Sequence, residues 1–139
     1  MRYVTIICLL LYFSISCERH TKLTIEKSNP PKFFMTGNGL LTSIRVTGPN
    51  KQREAIGEDA FLYWVIELKD YDGSQIVEKL SPVTYGVVPA GFIQVYPEQG
   101  TAPQLVEGER YYLRIVTTDA NGVRTSFTIQ DGKAVEDDR

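Results

Sequence analysis

Apolar and polar residues alternate along much of this chain, which is the pattern of β-strands that bury one face. The alternation covers Lys22–Glu26, Leu40–Thr47 and Arg110–Thr118, and it predicts a strand in each segment. The run FLYWVIEL, from Phe61 to Leu68, is apolar on both faces and rich in aromatic and β-branched residues, so we expect a strand with both faces covered. Nothing in the middle third of the chain is periodic enough for a long helix. The pattern therefore predicts an all-β fold.

Turn residues separate the predicted strands. Gly37–Gly39 lies between two apolar runs, and Asp72-Gly73 is the strongest hairpin signal in its region. Between Asp72-Gly73 and the next proline, Gln75–Leu80 predicts a further short strand. Asn121-Gly122 predicts a two-residue turn that leads into a last alternating strand, Val123–Gln130.

Two stretches predict loops and sheet edges rather than central strands. Gly48–Asp59 is polar and predicts a loop, with one short helical turn near KQREAI as the alternative. The segment 81–104 holds four prolines, which cannot donate to a central strand ladder. These prolines are Pro82, Pro89, Pro97 and Pro103.

The carboxyl third carries a pattern with a known architectural meaning. Leu105, Gly108 and Tyr111 have the spacing of Leu, two residues, Gly, two residues, Tyr, followed by an alternating strand. This pattern resembles fibronectin type III and related immunoglobulin-like domains, in which the tyrosine buries its ring and bonds a backbone group near a sharp corner. The resemblance implies an antiparallel β-sandwich of about seven strands, with Trp64 buried on a central strand.

The first sixteen residues differ from the rest of the chain. Arg2 is followed by an apolar run, Tyr3–Phe13, that is too short to span a bilayer, and small residues follow at Ser14 and Ser16. This is the pattern of a secretory signal peptide that is removed by cleavage after Ser16. The segment ending at Cys17 resembles the lipobox of bacterial lipoproteins, although lipoboxes usually have leucine where Ser14 stands. The alternative is ordinary cleavage that leaves Cys17 as a free amino-terminal thiol.

The lipobox resemblance implies where the protein is located. In that family the cysteine carries a diacylglycerol and often a third acyl chain, and several chains together hold a protein on a bilayer durably. The implied partner is a lipid bilayer, contacted through the acylated Cys17, and the implied location is the outer membrane or surface of a bacterial envelope. Because Cys8 leaves with the signal peptide, the mature chain has no disulfide to support its core.

The sequence predicts a single folded domain with short flanking segments. These are a removed signal peptide at 1–16, the lipidated cysteine with a polar tether and first edge strand at 17–32, a sandwich domain at 33–132, and an acidic tail at 133–139. The formal net charge is −2, with interspersed signs. Because no basic patch is present, we expect no nucleic-acid partner.

Few residues point to catalysis, and we expect no catalytic residues, no metal and no cofactor. The only histidine, His20, lies in the tether, where nothing suggests a fixed position, and a nucleophile or zinc site would need more His or Cys than the chain has. Asp70, Asp72 and Ser74 form a minor alternative as part of a calcium loop. A further alternative is an envelope enzyme that uses surface carboxylates. The candidate carboxylates are Glu67, Glu78, Glu107, Glu109 and Asp119.

One surface could bind a partner. If Phe61–Leu68 and Arg110–Thr118 are neighbours in one sheet, their outward side chains form an apolar and aromatic patch, which usually marks a binding surface. The patch consists of Phe61, Tyr63, Val65, Tyr112, Arg114 and Val116. We therefore expect a binding or structural module for an envelope protein, or alternatively a carbohydrate-binding module that stacks its aromatics on sugars. A competing expectation is that the segment 81–104, with its own apolar residues, folds back and covers this patch.

Overall fold

Antiparallel strands make up most of the chain in the computed structural model, which describes residues 20–49, 61–118 and 120–137. Those residues form nine strands and one short helix. In chain order they are β1 (Lys22–Glu26), β2 (Lys32–Thr36), β3 (Leu41–Thr47), β4 (Leu62–Leu68), α1 (Val77–Leu80), β5 (Val83–Thr84), β6 (Phe92–Tyr96), β7 (Arg110–Thr117), β8 (Val123–Gln130) and β9 (Lys133–Glu136). Most of the predicted loop Gly48–Asp59 lies outside the described residues.

The strands form two sheets that pack face to face. One sheet has three strands in the order β1-β2-β5, and the other has six in the order β6-β4-β3-β7-β8-β9. Every pairing between these strands is antiparallel. The prediction of an all-β antiparallel sandwich is confirmed. The described residues contain nine strands rather than about seven, because the proline-rich segment adds β5 and β6, the carboxyl end adds β9, and the predicted strand at Gln75–Leu80 is lost.

The predicted acidic tail begins with a strand instead. Ala134 is fully buried on β9, and its N–H donates to the carbonyl of Ser28 at 3.2 Å. The Glu136 carboxylate accepts hydrogen bonds from the Ile25 N–H at 3.1 Å and the Thr125 hydroxyl at 3.0 Å. β9 therefore links the edges of the two sheets. A four-residue strand next to an acidic run has too weak a pattern to be recognised from sequence.

The predicted strand at Gln75–Leu80 is also wrong. Its backbone touches the sandwich only at its start, where the Leu41 N–H donates to the Gln75 carbonyl and the Val77 N–H donates to the Gly39 carbonyl. After that contact the Leu80 N–H bonds back to the Ile76 carbonyl at 3.2 Å, and α1 forms one turn with Val77 buried. With no neighbouring strand to pair with, the segment satisfies its backbone locally.

The turn between β7 and β8 is longer than the two residues predicted. β7 ends at Thr117 and β8 begins at Val123, so five residues connect them, and Ile115 lies opposite Val123. The Thr117 hydroxyl donates to the Ala120 carbonyl across this loop at 2.6 Å.

Trp64 is fully buried on β4, as the sandwich resemblance implies. Its indole N–H donates to the side-chain oxygen of Gln94 at 3.2 Å, and its ring meets Tyr85 edge-on at 5.4 Å. The Gln94 amide in turn donates to the carbonyls of Pro97 and Gly100. The edge strand β6 is thus tied both to the core and to the loop that follows it.

The residues of the predicted corner meet near the end of β8. The Val106 N–H donates to the Tyr111 hydroxyl at 2.9 Å, and the Tyr111 ring is fully buried. Gly108 has a φ of 77°, a left-handed conformation that glycine adopts without strain, and its N–H donates to the Ile129 carbonyl at 2.8 Å. Leu105 is half-buried against the core.

We expect the protein to lose stability in strong alkali because of its buried tyrosines. Burial raises the pKa of Tyr111 to about 12 and also raises the pKa of Tyr85. Tyrosines in the unfolded chain ionise near about pH 10, so the stabilisation is complete below that pH and is lost as the pH rises toward about 12. Urea unfolding at increasing pH, followed by Trp64 fluorescence, measures this fall.

Tyr111→Phe provides the control for this alkaline loss. It removes the acceptor of the Val106 N–H and should cost about 1 kcal/mol at neutral pH, while reducing the alkaline loss. Tyr112→Phe, on the neighbouring exposed position, should change neither quantity. An alkaline loss of the same size in the Tyr111→Phe protein would show that Tyr111 does not cause it.

Candidate binding face

The six residues of the predicted binding patch do not form one surface. β4 and β7 lie in the same sheet, but β3 lies between them. Phe61 immediately precedes β4 and is half-buried, whereas Tyr112 on β7 is 47% exposed. The two halves of the patch are therefore separated by the width of a strand.

Tyr63 turns towards the core because of a β-bulge. Val46 lies opposite Trp64, but the next residue, Thr47, lies opposite Leu62, so Tyr63 is an extra residue in β4. Its ring packs edge-on against Tyr111 with centroids 5.0 Å apart. A bulge re-aims the side chain that it carries. The expectation that Tyr63 shares a surface with Tyr112 is wrong for this reason.

Val65 faces outwards but is not accessible. It lies opposite Arg45, on the outer face of the six-stranded sheet, and is only 2% exposed. Ser43, which follows along the same face of β3, is buried as well. Val65 and Ser43 therefore offer no accessible surface to a partner.

The segment 81–104 contributes to the core and to a sheet edge. Tyr85 and Phe92 are buried in the core, and β6 extends the sheet beside β4. We expected five apolar residues of this segment to need burial, and only Phe92 is buried. The other four, which are exposed, are Val87, Val88, Ile93 and Val95. Their exposure therefore does not support the expectation that the segment 81–104 folds back over the predicted patch.

An accessible surface remains on β7 and β8, which we call the β7–β8 face. It consists of the outward residues Tyr112, Arg114 and Val116 on β7 and Arg124 and Ser126 on β8. Tyr112 lies directly opposite Ser126, and Arg114 lies directly opposite Arg124. Tyr112 and Arg124 are exposed, and the other three residues are half-buried.

Three arginines form a row across this outer face. Arg45, Arg114 and Arg124 are direct cross-strand neighbours on β3, β7 and β8. Side chains in such positions start about 5 Å apart, and like charges placed there destabilise a sheet. Each of the three also makes further interactions within the protein. The row therefore places three guanidinium groups side by side on the outer face, two of them on the β7–β8 face.

An open depression of about 380 Å³ continues this face towards the β7 amino end. Its lining residues are Pro49, Gly108, Glu109, Arg110, Tyr112 and Thr128. Arg110 forms an ion pair with Asp137 at 3.0 Å, and the Thr128 hydroxyl donates to the same carboxylate at 2.8 Å. Tyr112 therefore separates this depression from the arginine row, with its ring accessible to a bound group.

The candidate calcium residues form a turn. The Asp72 carboxylate accepts hydrogen bonds from the Ser74 N–H at 2.8 Å and the Gln75 side-chain amide at 2.6 Å. The hydrogen bonds from Ser74 lower the pKa of Asp72. Among residues 20–49, 61–118 and 120–137, no group of three or more His, Cys, Asp or Glu side chains is arranged to hold a metal.

The candidate carboxylates are distributed over several elements. Glu107 accepts hydrogen bonds from the N–H groups of Asp131 and Gly132 and so fixes the β8–β9 turn. Glu67 lies on β4, Glu78 on α1 and Glu109 just before β7. Asp119 lies outside the described residues, as does Cys17.

His20 has a defined backbone position, contrary to our expectation for the tether. It forms an isolated β-bridge with Asn121, in the loop between β7 and β8.

Comparison with protein-family models, with curated proteins and with solved structures gives no significant match. In the part of the chain that the structure describes, no helix has the length and apolar character needed to cross a membrane.

Substitution of Tyr63 should destabilise the protein much more than substitution of Tyr112. Tyr63→Ser removes a ring that packs on Tyr111 and should lower the free energy of unfolding by about 2 kcal/mol. Tyr112→Ser removes an exposed ring and should change it by less than about 0.5 kcal/mol. Urea unfolding of the two variants measures both values. Equal losses would contradict the inward position of Tyr63.

Proposed function

We propose that this protein is a lipoprotein of a bacterial cell envelope whose β-sandwich is a non-catalytic binding module. In this proposal acyl chains on Cys17 hold the domain at a membrane. The β7–β8 face binds a second envelope protein that presents acidic groups. The observation that carries the binding proposal is the cationic arginine row next to the exposed Tyr112.

Support for the membrane anchor comes from the sequence. A short apolar leader is followed by small residues and then by Cys17, which resembles a lipoprotein precursor except that Ser14 stands where leucine is usual. The sandwich core, for its part, is built without a disulfide, so the thiol of Cys17 is not needed to stabilise the fold.

Support for the partner's chemistry comes from the geometry of the face. Arginine presents a planar fork of N–H donors that matches a carboxylate, and it is enriched with tyrosine at protein interfaces. The ring of Tyr112 and the methyl groups of Val116 add apolar contact area beside the charges.

The structure favours a protein partner over the carbohydrate alternative. Sugar binding by stacking would use several exposed aromatic rings on one surface. Since Tyr63 packs into the core, Tyr112 is the single aromatic residue of the β7–β8 face. The envelope-enzyme alternative has no comparable support among the described carboxylates, because Glu107 is bonded to backbone N–H groups of a turn.

The anchor is tested by the mass of the mature amino terminus. In cells that export the protein we expect Cys17 to carry acyl chains and the protein to partition into detergent. Cys17→Ser should abolish both, because the substituted residue has no sulfur to acylate. Cys8→Ser, inside the removed leader, should change neither. If Cys17 is unmodified and the protein does not partition into detergent, the proposed anchor is wrong.

The binding face is tested by charge reversal. Arg114→Glu combined with Arg124→Glu should reduce capture of the partner from detergent extracts of envelopes by roughly tenfold or more, since like charges would then face each other. Capture by the unchanged protein should also weaken as salt is added. Capture is measured by crosslinking followed by mass spectrometry.

Lys133→Glu is the matched control, since it reverses an exposed charge at the start of β9, opposite Gln130 and away from the β7–β8 face. It should leave capture unchanged. Undiminished capture by the double arginine variant would remove this face from consideration. Retention on immobilised glycans that is lost with Tyr112→Ser would support the carbohydrate alternative instead.

A further inference from the structure

The chain enters the sandwich at one end, close to the proposed anchor. His20 is bridged to Asn121, and Thr21 is buried. The backbone of Gly37 packs so closely against His20 that an added Cβ would lie 2.5 Å from the His20 carbonyl oxygen. The chain is therefore held by the sandwich from residue 20 onwards.

Only a short stretch of chain separates this point from Cys17. Three residues, even fully extended, span at most about 11 Å. If Cys17 is acylated, the end of the sandwich that contains His20 must lie within about that distance of the bilayer surface. The proposal below therefore rests on the lipid anchor proposed above.

Three loops meet at this end of the sandwich. The position of Gly39 is close to Thr21 and to Ala120, which places the β2–β3 turn beside the β7–β8 loop. The Gly39 carbonyl accepts a hydrogen bond from the Val77 N–H at 3.0 Å, and Leu40 forms a bridge with Ile76. The loop from 69 to 76, which connects β4 to α1, therefore lies next to the point where the chain enters.

This loop presents an exposed tyrosine. Tyr71 is 65% exposed, more than any other large apolar side chain in the described residues. The flanking residues are held by the buried side chain of Gln75, whose amide donates to the Asp70 carbonyl at 3.2 Å and to the Asp72 carboxylate at 2.6 Å. The backbone on both sides of Tyr71 is thus fixed from within, and the ring is displayed outwards.

Tyrosine is well suited to the boundary between water and lipid, because its ring is apolar while its hydroxyl remains hydrated. In water most of the Tyr71 ring remains exposed rather than packed against the described residues. A bilayer surface within reach of the same end supplies a packing partner. Lys22 and Lys69 are also exposed at this end, and their side chains can reach lipid phosphates.

We propose that the anchored sandwich rests on the bilayer with its His20 end and that Tyr71 places its ring among the lipid headgroups. The lipid chains of Cys17 then fix the distance from the membrane, and Tyr71 limits the tilt of the domain. The strands run between this end and the opposite end, so the long axis of the sandwich extends away from the membrane.

The test uses the full lipidated protein in vesicles of phosphatidylethanolamine with a smaller share of phosphatidylglycerol, plus a lipid with a nitroxide headgroup. A fluorophore is attached to Asn38→Cys, in the β2–β3 turn at the His20 end, in one sample and to Lys133→Cys, at the opposite end, in the other, so that Tyr71 is kept in both. We expect the nitroxide to quench the probe at position 38 several-fold more strongly than the probe at position 133. Equal quenching on vesicle-bound protein would overturn the proposed orientation.

A second pair of proteins isolates the role of Tyr71. The fluorophore is attached to Asn38→Cys, in the β2–β3 turn at the same end, with either Tyr71 or Tyr71→Ser. Quenching at position 38 should fall by half or more when the tyrosine is removed. Unchanged quenching would show that Tyr71 does not hold this end on the lipid.

Mass measurement of Cys17 and flotation with the vesicles separate the two proposals. Acylated, floating protein without selective quenching at position 38 would overturn the orientation and leave the anchor intact. Protein that is neither acylated nor floating would overturn the anchor and, with it, the orientation.

Discussion

A continuous contact between aromatic rings holds the two sheets together. Tyr63 meets Tyr111 at 5.0 Å, Tyr111 stacks on Phe127 at 5.6 Å, and Phe127 approaches Phe33 at 6.3 Å. The first three rings belong to the six-stranded sheet, and Phe33 belongs to the three-stranded sheet. Because the two cysteines of the chain lie at positions 8 and 17, no disulfide assists this contact. Each ring buries a large apolar area, and the geometry of each pair adds roughly 1 kcal/mol beyond that burial.

Sequence patterns predict the parts of the fold that depend on one strand at a time. Leu23 and Ile25 on β1 alternate with exposed residues, as do Leu113 and Ile115 on β7, and both strands form where expected. The register between two strands depends also on the turn that joins them. A two-residue turn at Asn121-Gly122 would place inward positions of β7 opposite outward positions of β8, whereas the five-residue loop keeps Tyr111 opposite Phe127. The alternation of the two strands thus conflicts with the shorter turn, and packing of the core decides in favour of the alternation.

The binding face could be predicted only in part for the same reason. Tyr112, Arg114 and Val116 follow from the alternation of β7 alone. Arg45 and Arg124 join Arg114 only through the order β3-β7-β8 and its register, which no local signal specifies. The position of Tyr63 does not follow from the alternation, because a bulge adds this residue to β4 and turns its ring towards Tyr111.

The proposed anchor and the proposed binding face impose a common geometry. β7 has eight residues and is about 26 Å long at the usual rise per residue. Its carboxyl end leads into the loop that contains Asn121, beside His20, so β7 approaches the end of the sandwich that we propose to face the membrane. Arg114 and Tyr112 then lie part of the way up the domain and face sideways, parallel to the bilayer.

A partner bound there would have to stand on the same membrane or extend close to it, and two proteins confined to one surface meet at a higher effective concentration than they do in solution. In this arrangement a short tether favours binding, because it limits the orientations in which the face can meet its partner.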